Sequence, residues 1–190
     1  MQSYIIKPGL GKLDYIYSEF VLKTLPFWKS LYFTPNILTT LSLLTSILCI
    51  YFIYKRKPIL AIIFLFSRMY FDFADGLFAR KYNQTTNFGD WYDHIVDVFS
   101  FGIPLIIVLC MSKHKFVYVP IILILFISQI IHIGCIEKEY TEKSGNKGES
   151  LDVCAKLCFS KDFFKLIDNS TFYILLAILI LVLCKNEPVN

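Results

Sequence analysis

The chain has 190 residues, of which 56% are hydrophobic and 18% charged, whereas an ordinary soluble domain is about one quarter charged. With 18 Phe and 12 Tyr, a water-soluble fold of this length would expose large apolar patches, so a bilayer is the natural solvent. The net charge of +4 is scattered without a long Lys/Arg run, which argues against a nucleic-acid partner and suits a surface of anionic headgroups.

The first fifteen residues lack the charged-then-apolar order of a signal peptide, so targeting is expected from an internal span. Residues 1–34 read as an interfacial segment. Within them Leu13, Ile16, Tyr17, Phe20 and Leu22 recur at helical spacing between Lys12, Lys23 and Lys29, with an interruption at Pro26. Residues 35–136 form the expected core of the bundle. Pro35-Asn36 opens a first span ending at Tyr54, and Lys55, Arg56, Lys57 and Pro58 stop it. A second run goes from Ile59 to about Phe73 and continues into ADGLFAR. After the polar link KYNQTTNF, a third helix is expected from near Gly89 to Cys110. The MSKHK stretch is a turn, and a fourth run covers Phe116 to about Ile136.

Residues 137–162 are rich in Glu, Lys, Ser and Gly and read as a polar cytosolic arm. Residues 163–190 hold a last spanning helix and tail. Its apolar run, 172–184, is short, so the helix is expected to begin near Phe163, with Lys165, Asp168 and Asn169 at its polar end. The fold class is therefore all-α, a polytopic membrane helix bundle of about five to six spans behind an amphipathic interfacial helix. Basic residues gather on the face holding the N-terminus, the 80–88 link and the polar arm, which places that face in the cytosol; the Lys55-Arg56-Lys57 turn opposes this. Of six cysteines, Cys49, Cys110 and Cys184 lie in apolar runs, where Cys acts as a small hydrophobe. Cys154 and Cys158 sit one helical turn apart near Cys135 and His132, too few ligands to favour zinc, and no disulfide framework is expected. Two sequons, at Asn83 and Asn169, fall on the expected cytosolic face, so neither is expected to carry a glycan.

The informative stretch is FDFADGLFARKYNQTTNFGDWYDHIVD. Asp72, Asp75, Gly76 and Ala79 share one helix face, and Gly89, Asp93 and Asp97 share a face of the next helix. The short link predicts antiparallel neighbours whose four carboxylates converge. A carboxylate at membrane depth costs about 2.5–3.5 kcal/mol on insertion scales, and like charges repel. Such a cluster needs neutralising, by Arg80 and by a hard divalent cation, Mg²⁺ or Mn²⁺. Gly76, Ala79 and Gly89 remove bulk where a ligand must come close. Asp90 reads as a helix-start acid, and His94 as a packing or hydrogen-bonding residue.

These residues closely resemble the signature of the CDP-alcohol phosphatidyltransferase family: two Asp three apart, then Gly, Ala-Arg, Gly, and two Asp four apart. The resemblance implies a six-helix membrane bundle, usually a homodimer, with its site at the cytosolic boundary; this chain shows five spans. It implies that Asp72, Asp75 and Asp93 hold the divalent metal with Asp97 beside it. Asp97 would be the general base. Gly76, Ala79 and Gly89 would make room for the CDP group, Arg80 would contact its phosphates, and Asn36 would touch the donor. The implied reaction is attack of an acceptor hydroxyl on the β-phosphorus of a CDP-alcohol, with release of CMP, in phospholipid biosynthesis. Tyr17-Ser18, Pro26-Phe27-Trp28, Pro35-Asn36 and Asp93-His94 look like the choline/ethanolamine phosphotransferase branch, in which diacylglycerol is the acceptor. That branch implies the endoplasmic reticulum if the source is eukaryotic. The alternative is transfer from CDP-diacylglycerol to a soluble alcohol such as inositol, glycerol phosphate or serine. A divalent-cation channel or transporter also uses intramembrane acids, but it leaves Gly76, Ala79, Arg80 and Gly89 without a purpose.

Overall fold

The computed structural model describes residues 5–112, 115–144, 156–158 and 168–186. Local sequence explains most helix starts. Helix α1, Lys12–Ser30, buries Asp14, Ser18, Val21 and Leu25 and turns Ile16, Phe20 and Phe27 outward. Helix α2, Pro35–Tyr54, begins with Pro at its first position, and the Thr34 side chain accepts from the Ile37 N–H. Helix α3 is Pro58–Lys81. Helix α4, Asn87–Met111, is capped by Thr86, whose Oγ1 accepts from the Gly89 N–H at 3.0 Å. Helices α5, Lys115–Ser144, and α6, Asn169–Asn186, complete the described elements.

The fold is an all-α membrane helix bundle. Pro35–Tyr54, Asn87–Met111 and Phe116–Tyr140 are long and apolar enough to cross a membrane by themselves. Helix α3 has the length, but Arg68, Asp72 and Asp75 interrupt its apolar character. The apolar part of α6, Asn169–Lys185, is shorter. Two boundaries differ from expectation. Helix α5 runs past Ile136 to Ser144, so the front of the expected polar arm is helical. Helix α6 is described from Asn169, and the stretch from Phe163 to Ile167 lies outside the described residues, as do the second and later parts of the arm except 156–158.

Helix α2 is the centre of the bundle. It packs most tightly against α3 and next against α4, and each of these lies closer to α2 than to the other. The expected direct α3–α4 pairing is therefore corrected. Small buried residues explain it: Thr39, Ser42, Ser46 and Cys49 line one stripe of α2, and small side chains let helix backbones approach where lipid supplies no hydrophobic drive. Ser42 Oγ donates to the Arg68 carbonyl, and Ser46 Oγ bonds Ser100 Oγ at 2.7 Å.

Two ends of the bundle are tied differently. At one, Arg56 adopts a left-handed conformation (φ 53°), and its guanidinium donates to the Leu183 carbonyl at 3.0 Å and the Met111 carbonyl at 3.3 Å. It thereby satisfies carbonyls at the C-terminal ends of α6 and α4. At the other end, α1 and α6 cap each other. Asp168 Oδ2 accepts from the Leu13 and Asp14 N–H groups, and its Oδ1 from the Thr171 N–H and hydroxyl. Asp14 accepts from the Asn169 and Ser170 N–H groups and from Ser170 Oγ. Both carboxylates are buried. They face helix N-termini, where negative charge is favoured.

The cysteine reading is also corrected. Cys135 of α5 and Cys158 form a disulfide across a sequence separation of 23. The sequence implied no disulfide framework; Cys154, the neighbour considered with Cys158 as a weak metal pair, lies outside the described residues.

Candidate active site

The N-terminal end of α2, the C-terminal half of α3 and the N-terminal half of α4 meet at one end of the bundle. Asp72 and Asp75 come from α3, and Asp93 and Asp97 from α4. Carboxylate oxygens of Asp72, Asp93 and Asp97 all lie within 4.8 Å of one another. Asp75 is buried beside them, and its Oδ2 accepts from Thr39 Oγ1 at 2.7 Å. Thus α2, although it carries none of the four acids, orients one of them.

The cluster contains a cation that the sequence reading missed. Arg68 lies one turn before Asp72 and is only 2% exposed. Its Nη2 donates to Asp72 Oδ1 at 3.0 Å and also to Asp97 Oδ1. The guanidinium sits over the Phe101 ring, 4.4 Å from the centroid, and 5.5 Å from that of Tyr173. The signal was available: Arg and Asp at i and i+4 face each other on a helix.

Two cavities adjoin the carboxylates. The smaller, about 150 Å³, is lined by Asn36, Thr39, Gly76, Ala79, Arg80 and Gly89, together with Gln84 to Thr86 of the link and Asp90. The larger, about 300 Å³, carries Ser18, Phe101, Gln129, Ile133, Ile136 and Asn169. Lys7, Asp75, Gly76, Arg80, Asp93 and His94 border both. Gln129 donates to the Asn169 side chain at the far wall of the larger cavity.

The glycines have specific neighbours. A Cβ on Gly76 would stand 3.2 Å from Arg80 Nη1, and one on Gly89 would stand 3.1 Å from Asn36 Oδ1 and 3.0 Å from Thr86 Oγ1. Gly76 therefore vacates the space that the Arg80 side chain fills. Arg80 Nε donates to the Ile5 carbonyl at 2.7 Å, so the segment before α1 is held across the site. Asp90 lies in the first turn of α4, as a helix-start acid should. His94 lines both cavities, and its ring nitrogens are buried with no hydrogen-bond partner among the described residues. Lys7, Gln129 and Asn169 join Arg68 as site neighbours that the motif did not name.

The donor set fits a hard divalent cation. Its atoms are carboxylate oxygens, they are closely grouped, and Asp93 Oδ1 is buried without a hydrogen-bond partner among the described residues. Sequence comparison connects this geometry to a family: residues 32–186 match the profile of CDP-alcohol phosphatidyltransferases. The chain belongs to the CDP-alcohol phosphatidyltransferase family. Members of this family depend on a divalent metal, in keeping with the acidic cluster.

Among proteins similar to this family member, a CDP-diacylglycerol–glycerol-3-phosphate 3-phosphatidyltransferase of Aquifex aeolicus is 37% identical over 68 residues, covering 35% of the chain and 38% of that protein. A CDP-diacylglycerol–serine O-phosphatidyltransferase of Bacillus subtilis is 30% identical over 71 residues, 37% of the chain and 40% of that protein. An uncharacterized Aquifex aeolicus protein is 32% identical over 93 residues, 49% of the chain and 47% of that protein. The matched stretches span less than half the length of each of these relatives. No solved structure gives a significant match.

Proposed function

We propose that the chain transfers a phosphatidyl group from CDP-diacylglycerol to a small soluble alcohol, with release of CMP. The observation that carries this reading is the pair of cavities meeting at the aspartates, one bordered by the Gly76–Ala79–Arg80–Gly89 surface and the other ending in the polar Gln129–Asn169 pair. The printed names of two relatives, which use CDP-diacylglycerol with glycerol 3-phosphate or serine, support the same choice over CDP-choline or CDP-ethanolamine with diacylglycerol. The choline/ethanolamine resemblance rests on Tyr17-Ser18, Pro26-Phe27-Trp28, Pro35-Asn36 and Asp93-His94 and is the second reading; among these, Asn36, Asp93 and His94 border the smaller cavity.

In this mechanism the smaller cavity takes the CDP group. Gly76, Ala79 and Gly89 let the nucleotide approach the backbone, Asn36 contacts the donor, and Arg80 pairs with its phosphates. The acceptor hydroxyl lies in the larger cavity, beside Asp97. Asp97 takes the hydroxyl proton while the oxygen bonds to the β-phosphorus. The bond from that phosphorus to the bridging oxygen breaks, and CMP leaves with the electron pair. Asp72, Asp75 and Asp93, with Asp97 beside them, would hold a Mg²⁺ or Mn²⁺ ion, which supplies charge neutralisation for the diphosphate. Positioning and charge are the main requirements of phosphoryl transfer.

The site end is proposed to face the cytosol, on the endoplasmic reticulum if the source is eukaryotic, and the bundle is proposed to work as a homodimer, which cross-linking in membranes would register as a doubled mass. The deciding assay follows CMP release from purified protein. Release is expected with CDP-diacylglycerol plus glycerol 3-phosphate, serine or inositol. Release only with CDP-choline or CDP-ethanolamine plus diacylglycerol would transfer the assignment to the second reading. Absence of release with every pair, together with cation flux into vesicles, would favour a transporter.

A further inference from the structure

Arg68 is placed as no snorkelling arginine would be. Its side chain does not reach for the membrane surface but lies buried, stacked against Phe101 and Tyr173. One nitrogen, Nη2, binds Asp72 of its own helix and Asp97 of α4. Nε and Nη1 make no hydrogen bond among the described residues. Those two carboxylates belong to the oxygen group that fits a divalent cation. Helices α3 and α4 pack only lightly against each other, so little else joins them here.

We propose that Arg68 is a resident counter-cation and positioning residue, which holds Asp72 and Asp97 together before a divalent ion arrives and competes with that ion for the same oxygens. The proposal rests on reading Asp72, Asp93 and Asp97 as cation ligands. It gives removal of Arg68 two effects of opposite sign. The acidic group loses its competitor and becomes more negative, so it binds a divalent ion more tightly. Asp97 loses its anchor beside the acceptor cavity, so turnover falls. A merely structural arginine would weaken both together.

The test uses the full chain in detergent. Mn²⁺ affinity is read by electron paramagnetic resonance of the free ion, without any CDP-alcohol, and CMP release is measured separately. Arg68→Gln is expected to bind Mn²⁺ at least about tenfold more tightly, since even one unit charge a few ångströms away exceeds that at an effective protein dielectric. Its turnover should drop by more than tenfold. Arg68→Lys, which keeps the charge, should return Mn²⁺ affinity to near the unsubstituted value. Should Arg68→Gln fail to fold, Phe101→Leu loosens the guanidinium without touching a carboxylate and should tighten Mn²⁺ binding about threefold. A folded Arg68→Gln or Phe101→Leu variant with unchanged or weaker Mn²⁺ affinity would overturn the role of Arg68 while leaving the cation site intact. Failure of the unsubstituted chain to bind Mn²⁺ would overturn the cation reading itself.

Discussion

Thr39 shows how a residue outside the aspartate pattern contributes to it. Its hydroxyl reaches Asp75 at 2.7 Å, and a neutral donor fixes a buried carboxylate without cancelling its charge. Thr39→Val should lower turnover by about tenfold and stability by about 1 kcal/mol, the net value of one such bond, while Thr39→Ser should restore both; CMP release and thermal unfolding measure these. Gly89→Ala should raise the KM for the CDP-alcohol more than it lowers kcat, because its Cβ would crowd Asn36 and Thr86 beside the smaller cavity. Asp97→Asn should abolish CMP release; full turnover in that variant with Mg²⁺ would remove Asp97 from the role of base. The four aspartates were legible because helical spacing alone puts them on two faces and acids are rare in apolar helices. Arg68 was not, because it precedes the recognisable pattern and its partner on α4 is a tertiary neighbour.

At the scale of elements, helix existence was legible from apolar runs and stops, but the order of packing was not. A short link suggested that α3 pairs with α4. The small-residue stripe on α2 decides otherwise by admitting both helices to its own surface. Interhelical hydrogen bonds in a bilayer average about 0.6 kcal/mol, so Ser46→Ala should cost about that much, measured by unfolding in mixed micelles. The Asp14–Asp168 exchange is a different order of effect. Each carboxylate is buried and satisfies several donors of two helix starts, and bonds to charged groups are worth about 1.5–3 kcal/mol each. Asp168→Asn and Asp14→Asn should each lower stability by about 2–3 kcal/mol, and the double variant by less than their sum, since the two share one network.

For the whole molecule, composition predicted a bilayer protein, and among the described residues the three helices long and apolar enough to span, with the shorter apolar α6, agree with it. Sidedness is less directly encoded, because the Lys55-Arg56-Lys57 turn puts basic residues opposite the site. The disulfide provides a probe. Cys135 precedes Ile136, which lines the larger cavity, so this disulfide reports the side occupied by the active site, and its formation runs against the proposed cytosolic side, where thiols are kept reduced. If that side is cytosolic, an impermeant maleimide applied with an impermeant reductant should label Cys135 and Cys158 only after cells are permeabilised; labelling in intact cells would reverse the orientation. The pairing was not legible because its partners are distant in sequence and joined by an arm whose path no periodicity describes. The mutual capping of α1 and α6 has a temporal meaning as well. A ribosome makes Asp14 long before Asp168, so the first N–H groups of α1 lack this carboxylate acceptor until α6 is synthesised. Maturation of this bundle is therefore a closure event: the early helix reaches its final state only when the late one docks, and truncation before Asp168 should leave a nascent chain with a protease-sensitive α1.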